Sequence, residues 1–210
     1  MTTSVGSTMN SGARQLRRGL LFLATLLLAG VTTLLLVQRS GPPLPVLDNL
    51  GGDFSLPSTL GHVVSSSEYR GELVLLNFGF TSCPDVCPTV LAKMRALLLD
   101  LDALGIQVQP LFVTLDPERD SLPVLTGYLE HFHPAFVGMT GTLEQIAAVA
   151  ARYRVQHERE RLDSEFGYGI SHSSHVYLID SRGRVRAMFG GSQPLAEMLE
   201  DTRRLAAERS

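Results

Sequence analysis

The sequence predicts an α/β sandwich, a mixed central sheet flanked by helices, preceded by one apolar helix of transmembrane length. Three observations carry this expectation. Residues 73–80 and 108–115 are almost wholly apolar runs of strand length, the pattern of strands buried on both faces. Between them Val90, Leu91, Met94, Leu97, Leu98, Leu101 and Leu104 recur at i, i+3 and i+4, the stripe of an amphipathic helix. Residues 19–37 contain no charged side chain.

That last segment, at 1.5 Å per residue, spans roughly 29 Å, close to the hydrocarbon thickness of a bilayer. Arg14, Arg17 and Arg18 precede it without an acidic residue, and Arg39 follows. This bias puts residues 1–18 in the cytoplasm as a tail and the remainder across an inner membrane, in the periplasm. A cleaved signal peptide would have a shorter apolar region and an A-x-A-like site, which Ala29-Gly30-Val31 matches poorly. The expectation is therefore a retained anchor over 19–37. Residues 1–18 also have the acid-free Ser/Arg composition of a mitochondrial presequence, which would put the domain in the intermembrane space instead. Pro42, Pro43 and Pro45 mark residues 38–47 as an extended linker, leaving 48–210 as the folded domain. Four of the 18 Lys and Arg precede residue 40, so the remaining 14 face 21 acidic residues, a formal charge of −7. A mildly acidic domain with no basic stripe excludes nucleic acid as a partner class.

Within the domain, residues 51–56 and 62–64 read as short strands around a turn. The helix after strand 73–80 has Pro88 in its opening turn and stops at Gly105, where start and stop signals belong. Helices are expected over 121–132 and 142–152, with a short strand over 135–139. Strands 176–180 and 184–189 flank the turn Ser181-Arg182-Gly183, and a helix over 194–208 closes the chain. Residues 156–161 read as a solvated charged stretch and 167–175 as an irregular polar segment. Strand, cysteine pair, helix, strand, then a hairpin and a final helix is a thioredoxin-like arrangement.

The chain has two cysteines, in Cys83-Pro84-Asp85-Val86-Cys87 at the junction of strand and helix. A helix N-terminus lowers thiol pKa and favours thiolate. Two adjacent thiolates can exchange disulfides or hold a soft metal ion. As a structural staple the pair would close too small a loop to add more than roughly 2 kcal/mol. Thiol exchangers of the thioredoxin type space their cysteines C-x-x-C; the wider spacing here lets both sulfurs address one ion. Two thiolates with one imidazole suit copper in either oxidation state. Of the six histidines, His131 and His133 sit at a helix end before Pro134, His157 lies in the charged stretch, and His62 in an early hairpin. His172 and His175 occupy the polar segment 167–175, which a thioredoxin-like fold lays beside the cysteines.

Residues 79–89, Gly-Phe-Thr-Ser-Cys-Pro-Asp-Val-Cys-Pro-Thr, resemble the C-P-D-[IV]-C-P motif of the Sco/SenC copper chaperones. Three further blocks resemble that family in the same order: Thr114 to Asp120, then Phe132-His133-Pro134 with 138–142, then Ile170-Ser171-His172-Ser173 running into 177–180. The resemblance covers about residues 50–205. It implies a membrane-anchored thioredoxin-like protein binding one copper, Cu(I) or Cu(II), through Cys83, Cys87 and His172. It also implies cytochrome c oxidase subunit II as partner, helped by copper delivery to its copper A site or by reduction of its cysteines. The alternative reading is a thiol-disulfide oxidoreductase or thiol peroxidase in which Cys83 attacks and Cys87 resolves, served by a thiol reductant protein. One departure is visible: Ser171 stands where the family commonly has Asp, a residue positioned to tune the imidazole. Asp85 is expected either to tune the thiolates or to face the helix dipole. Asp116 and Asp120 are expected to shape a turn and cap the following helix.

Overall fold

The computed structural model describes residues 9–39, 42–161 and 167–208. The chain divides into two compact units at Pro42/Pro43. The first is a single helix, α1 (Met9–Arg39). It contains the expected span 19–37, and its window Gln15–Thr32 is long and apolar enough to cross a membrane. Residues 1–8 of the expected tail and residues 40–41 of the expected linker lie outside the described residues.

The second unit begins inside the expected linker. Leu44 is buried and its N–H donates to the Glu208 carboxylate at 2.9 Å, while Leu47 N–H donates to Val185 at 2.8 Å. Then follow β1 (Ser55–Pro57) and β2 (Val63–Ser65), paired antiparallel. Next come β3 (Leu73–Gly79), α2 (Val86–Ala103), β4 (Val108–Thr114), α3 (Leu122–Glu130), β5 (Val137–Met139) and α4 (Leu143–Arg152). The chain continues through β6 (His157–Arg161), β7 (Tyr168–His172), β8 (His175–Ile179), β9 (Val185–Gly190) and α5 (Leu195–Ala207).

The main sheet has the order β5-β4-β3-β8-β9, with β3, β4 and β5 parallel and β8 and β9 antiparallel. It is the expected mixed sheet of a thioredoxin-like sandwich. Every residue of β3 is buried, because alternate side chains enter different cores. Val74, Leu76 and Phe78 pack with Ile146, Val149 and Ala150 of α4. Leu73 and Leu75 pack with Leu91, Met94 and Leu98 of α2 and with Met198 of α5. Burying one such Leu or Phe contributes about 1.5–3 kcal/mol, so β3 is the strand from which the cysteines are hung.

The helix α2 starts at Val86, which places Cys87 and, as expected, Pro88 in its first turn. Proline is tolerated there because the first N–H groups of a helix have no intrahelical partner. Residues 157–161 and 168–172, expected as a solvated stretch and an irregular segment, pair as an antiparallel two-stranded sheet outside the main one. Their alternation is polar on polar, so no apolar period announced a strand.

Candidate metal centre

The centre is built where β3 meets α2. Gly79, the last residue of β3, makes room for it: a Cβ there would stand 2.9 Å from Cys87 Sγ and 3.0 Å from the Phe112 ring. The chain then turns, Cys83 N–H donating to Phe80 O at 3.3 Å. Cys87 is buried and its backbone N–H donates to Cys83 Sγ at 3.4 Å. Cys83 is half-buried, and its sulfur therefore receives one of the unsatisfied N–H groups of a helix start.

His172 ends β7. Its Nε2 lies 3.4 Å from Cys87 Sγ, and its Nδ1 lies 3.2 Å from Ser173 O. A neutral ring with the proton on Nδ1 donates to that carbonyl and leaves the Nε2 lone pair facing the sulfur, as acceptor from the Cys87 thiol or as a ligand to a metal. The Phe80 ring packs edge-on against the imidazole, centroids 5.9 Å apart. The two sulfurs and an imidazole nitrogen all lie within 4.8 Å of one another. Metal–sulfur bonds of about 2.3 Å and metal–nitrogen bonds of about 2.0 Å span such a triangle with shifts of a few tenths of an ångström. The donor set, two soft sulfurs and one imidazole, fits copper.

Burial sets the charge state. It pushes the Cys87 thiol well above its ordinary range, outweighing the hydrogen bond from the Phe80 backbone, and neighbouring Cys83 raises it further. The expectation that the helix start favours thiolate therefore fails for Cys87: its sulfur lies in the interior, and desolvation dominates. Burial likewise lowers His172, and proximity to His157 lowers it further. A metal entering this centre must displace a proton from Cys87 but finds His172 already neutral.

One loop holds both halves of the centre. Asp120 is fully buried and accepts from Thr81 N–H at 3.0 Å, Thr81 Oγ1 at 2.6 Å and Thr114 Oγ1 at 2.5 Å. It thereby pins the turn that leads into Cys83; burial raises its carboxyl pKa against the lowering by these bonds. Four residues earlier, buried Asp116 accepts from Tyr168 Oη at 2.7 Å and pairs with Arg119. The Arg119 guanidinium lies 3.8 Å from the Tyr168 ring centroid, and Arg159 covers the same ring at 3.9 Å while pairing with Glu118. These contacts pin the β6–β7 hairpin that carries His172. Asp116 shapes the expected turn, its carbonyl accepting from Arg119 and Asp120. Asp120 does not cap α3, whose N-cap is Ser121. Asp85 occupies the N-cap of α2, exposed and without a side-chain capping bond.

Three candidates are thus brought together, Cys83, Cys87 and His172. The other histidines stand apart from that group. His131 Nδ1 bonds the Gly127 carbonyl at 2.5 Å and His133 Nδ1 accepts from Ala135 N–H at 3.2 Å, both local helix-end contacts. His175 opens β8, its ring 6.3 Å from Tyr177, and lines a groove with Gln156, Ser173 and Met188. Ser171 is exposed and opposes Glu158, on the face of the hairpin turned away from His172. A carboxylate at 171 would not face the imidazole, and the ring's orientation comes from Ser173 O instead. Sequence reasoning missed the roles of Thr81, Thr114 and Tyr168. Their only signal was polarity at the ends of strands, which marks many ordinary turns equally well.

The SCO1/SenC family model matches residues 45–207. A SCO2-like protein of Rickettsia felis is 42% identical over 152 residues, 72% of this chain and 74% of the relative. The mitochondrial SCO2 homolog of Bos taurus is 40% identical over 162 residues, 76% of this chain and 61% of the relative. The crystal structure of Arabidopsis thaliana ScoI with copper bound is 31% identical, with a TM-score of 0.71, covering 77% of this chain and 99% of that one. With the fold, the cysteine pair and the opposing histidine in place, these matches show that the chain belongs to the SCO1/SenC family.

Proposed function

We propose that this protein is a membrane-anchored copper metallochaperone whose cargo is one copper ion held by Cys83, Cys87 and His172. The observation that carries the reading is the convergence of their ligand atoms within 4.8 Å. Two thiolates from a rigid strand–helix joint and one imidazole from a separate hairpin form a set that can be surrendered one donor at a time. Of these three donors His172 leaves before the sulfurs, because its hairpin lies outside the main sheet. Oxidation of Cys83 and Cys87 to a disulfide removes both sulfur donors and so gates binding. The target is the copper A site of cytochrome c oxidase subunit II. α1 anchors the domain, with the N-terminus cytoplasmic and the domain in the periplasm, or in the intermembrane space if the chain is mitochondrial.

One observation favours a second activity. Cys83 is half-buried beside a buried Cys87 and receives a helix N–H, the layout of an attacking and a resolving thiol. Cys83 thiolate would attack a target disulfide and Cys87 would displace the target's thiol from the mixed disulfide. Two electrons would pass to the target, the Cys83–Cys87 disulfide would remain, and a thiol reductant protein would reduce it back to the dithiol.

Anaerobic titration of the reduced full chain in detergent with Cu(II), beside His172→Ala, separates the readings. A 1:1 complex with thiolate-to-Cu(II) absorption, lost or strongly weakened in the variant, is the expected result. Binding indifferent to His172, or no stable complex, overturns the chaperone reading and leaves the oxidoreductase.

A further inference from the structure

Across the β6–β7 hairpin, His172 faces a second histidine. The two strands pair in the register His157↔His172, Arg159↔Ile170, Arg161↔Tyr168. Directly opposed residues of an antiparallel pair point to the same face, with Cβ atoms about 4.5–5.5 Å apart. That face is the one turned toward the thiols, because His172 Nε2 on it reaches Cys87 Sγ at 3.4 Å. Tyr168 and Arg159 on the same face pack with the 116–120 loop, which marks it independently as the inward side. His157 is exposed where His172 is half-buried, so it stands beside His172 on the solvent side of the pair. Its ring makes no hydrogen bond among the described residues, so nothing holds it from turning.

Resting on the copper reading above, we propose that His157 is a fourth, outer ligand that closes over Cu(II) already held by Cys83, Cys87 and His172. Three donors leave a Cu(II) ion one short of the four of its tetragonal geometry, and imidazole is a preferred donor. In the metal-free centre the His157 ring is not within the 4.8 Å group. An exposed side chain turns about its own bonds in picoseconds to nanoseconds, and bonds of about 2 Å from both rings to one ion bridge the cross-strand gap. His157 then becomes the first donor met by an arriving ion and the first released to a recipient.

The test loads the reduced full chain in detergent with one Cu(II) and counts bound imidazole nitrogens by pulsed electron paramagnetic resonance with ¹⁵N-histidine. Two imidazoles are expected in the unmutated chain and one in His157→Ala, with 1:1 stoichiometry and thiolate absorption retained. Copper loss to a competing chelator should be about 10-fold or more faster in that variant, the scale on which supporting metal contacts act. His157→Gln, which keeps a polar strand residue, should behave as His157→Ala does. One imidazole in the unmutated chain and an unchanged count in both variants overturns the outer ligand while leaving the three-donor centre standing. Failure of the unmutated chain to bind copper instead overturns the chaperone reading, and the outer ligand with it.

Discussion

Replacing Gly79 by Ala tests how closely the sheet is built around the metal centre. The new methyl would lie 2.9 Å from Cys87 Sγ and 3.0 and 3.2 Å from two Phe112 ring carbons. Comfortable contacts of this kind are about 3.5–4.0 Å, so sulfur or ring must retreat by at least half an ångström. Phe112 is fully buried and has nowhere to go. The backbone at 79 is not in the left-handed region, so alanine brings crowding and no conformational strain. Overpacking of this type costs about 1–3 kcal/mol. With a urea slope of about 1–3 kcal/mol per M, the midpoint of the reduced metal-free domain (residues 43–210) should fall by roughly 1 M. The displaced sulfur should also weaken copper binding by about tenfold, equivalent to about 1.4 kcal/mol. Repeating the substitution in a Cys87→Ala background isolates the sulfur contact, and a coupling of about 1 kcal/mol is expected for atoms in contact. Equal losses in both backgrounds, with copper affinity unmoved in Gly79→Ala, would refute the reasoning and assign the crowding to Phe112 alone.

Asp120→Ala should destabilise the domain by about 3 kcal/mol, since three donors lose a buried acceptor. Asp120→Asn, which keeps the shape and one carbonyl oxygen, should cost about 1 kcal/mol; equal urea midpoints for the two would refute the role of the carboxylate. Tyr168→Phe removes the 2.7 Å bond to Asp116 at a cost of about 1–2 kcal/mol, and amide exchange should accelerate in β6 and β7 while β3 and β4 stay protected. On pH, folding raises the Cys87 thiol pKa, so its neutral form is the stabilised one. Stability of the reduced metal-free domain should hold below the unfolded thiol value near 8.5 and fall above it by up to about 1.4 kcal/mol per pH unit. Cys87→Ala should flatten that alkaline arm in urea titrations. His172 works in the opposite range: its pKa is lowered, so its contribution is complete above about pH 6.5 and declines as pH falls through the unfolded value.

Apolar period was a sufficient guide wherever the chain packs on itself. Strands β3 and β4 and helix α2 are visible as runs and stripes because each buries a whole face, and a shift of one residue would exchange their two cores. Cys83 and Cys87 were legible for a different reason, as the only two thiols, four positions apart. His172 could be named through the resemblance of the block around it, although spacing alone did not separate it from His175. The β6–β7 hairpin was not legible. It is held by Arg159 and Arg119 against Tyr168 and by Asp116, contacts between residues as far as 52 apart in sequence, and polar contacts of that range leave no periodic trace. The same blindness hid Asp120, which looked like a turn residue and is the buried anchor of the cysteine loop.

The chain supplies its donors at very different separations: the sulfurs four residues apart, the imidazole 85 residues beyond the second. An unfolded, reduced chain thus retains a local dithiol chelate, and folding contributes only the imidazole side of the centre. A ligand that binds both states stabilises the native one only by the ratio of its two affinities. Copper cannot organise this domain as zinc organises a finger. The rise in melting temperature on loading measures the contribution of the imidazole side, His172 first, and leaves out most of the strength of the sulfurs. In His172→Ala that rise should nearly vanish, even while the thiols still hold the ion.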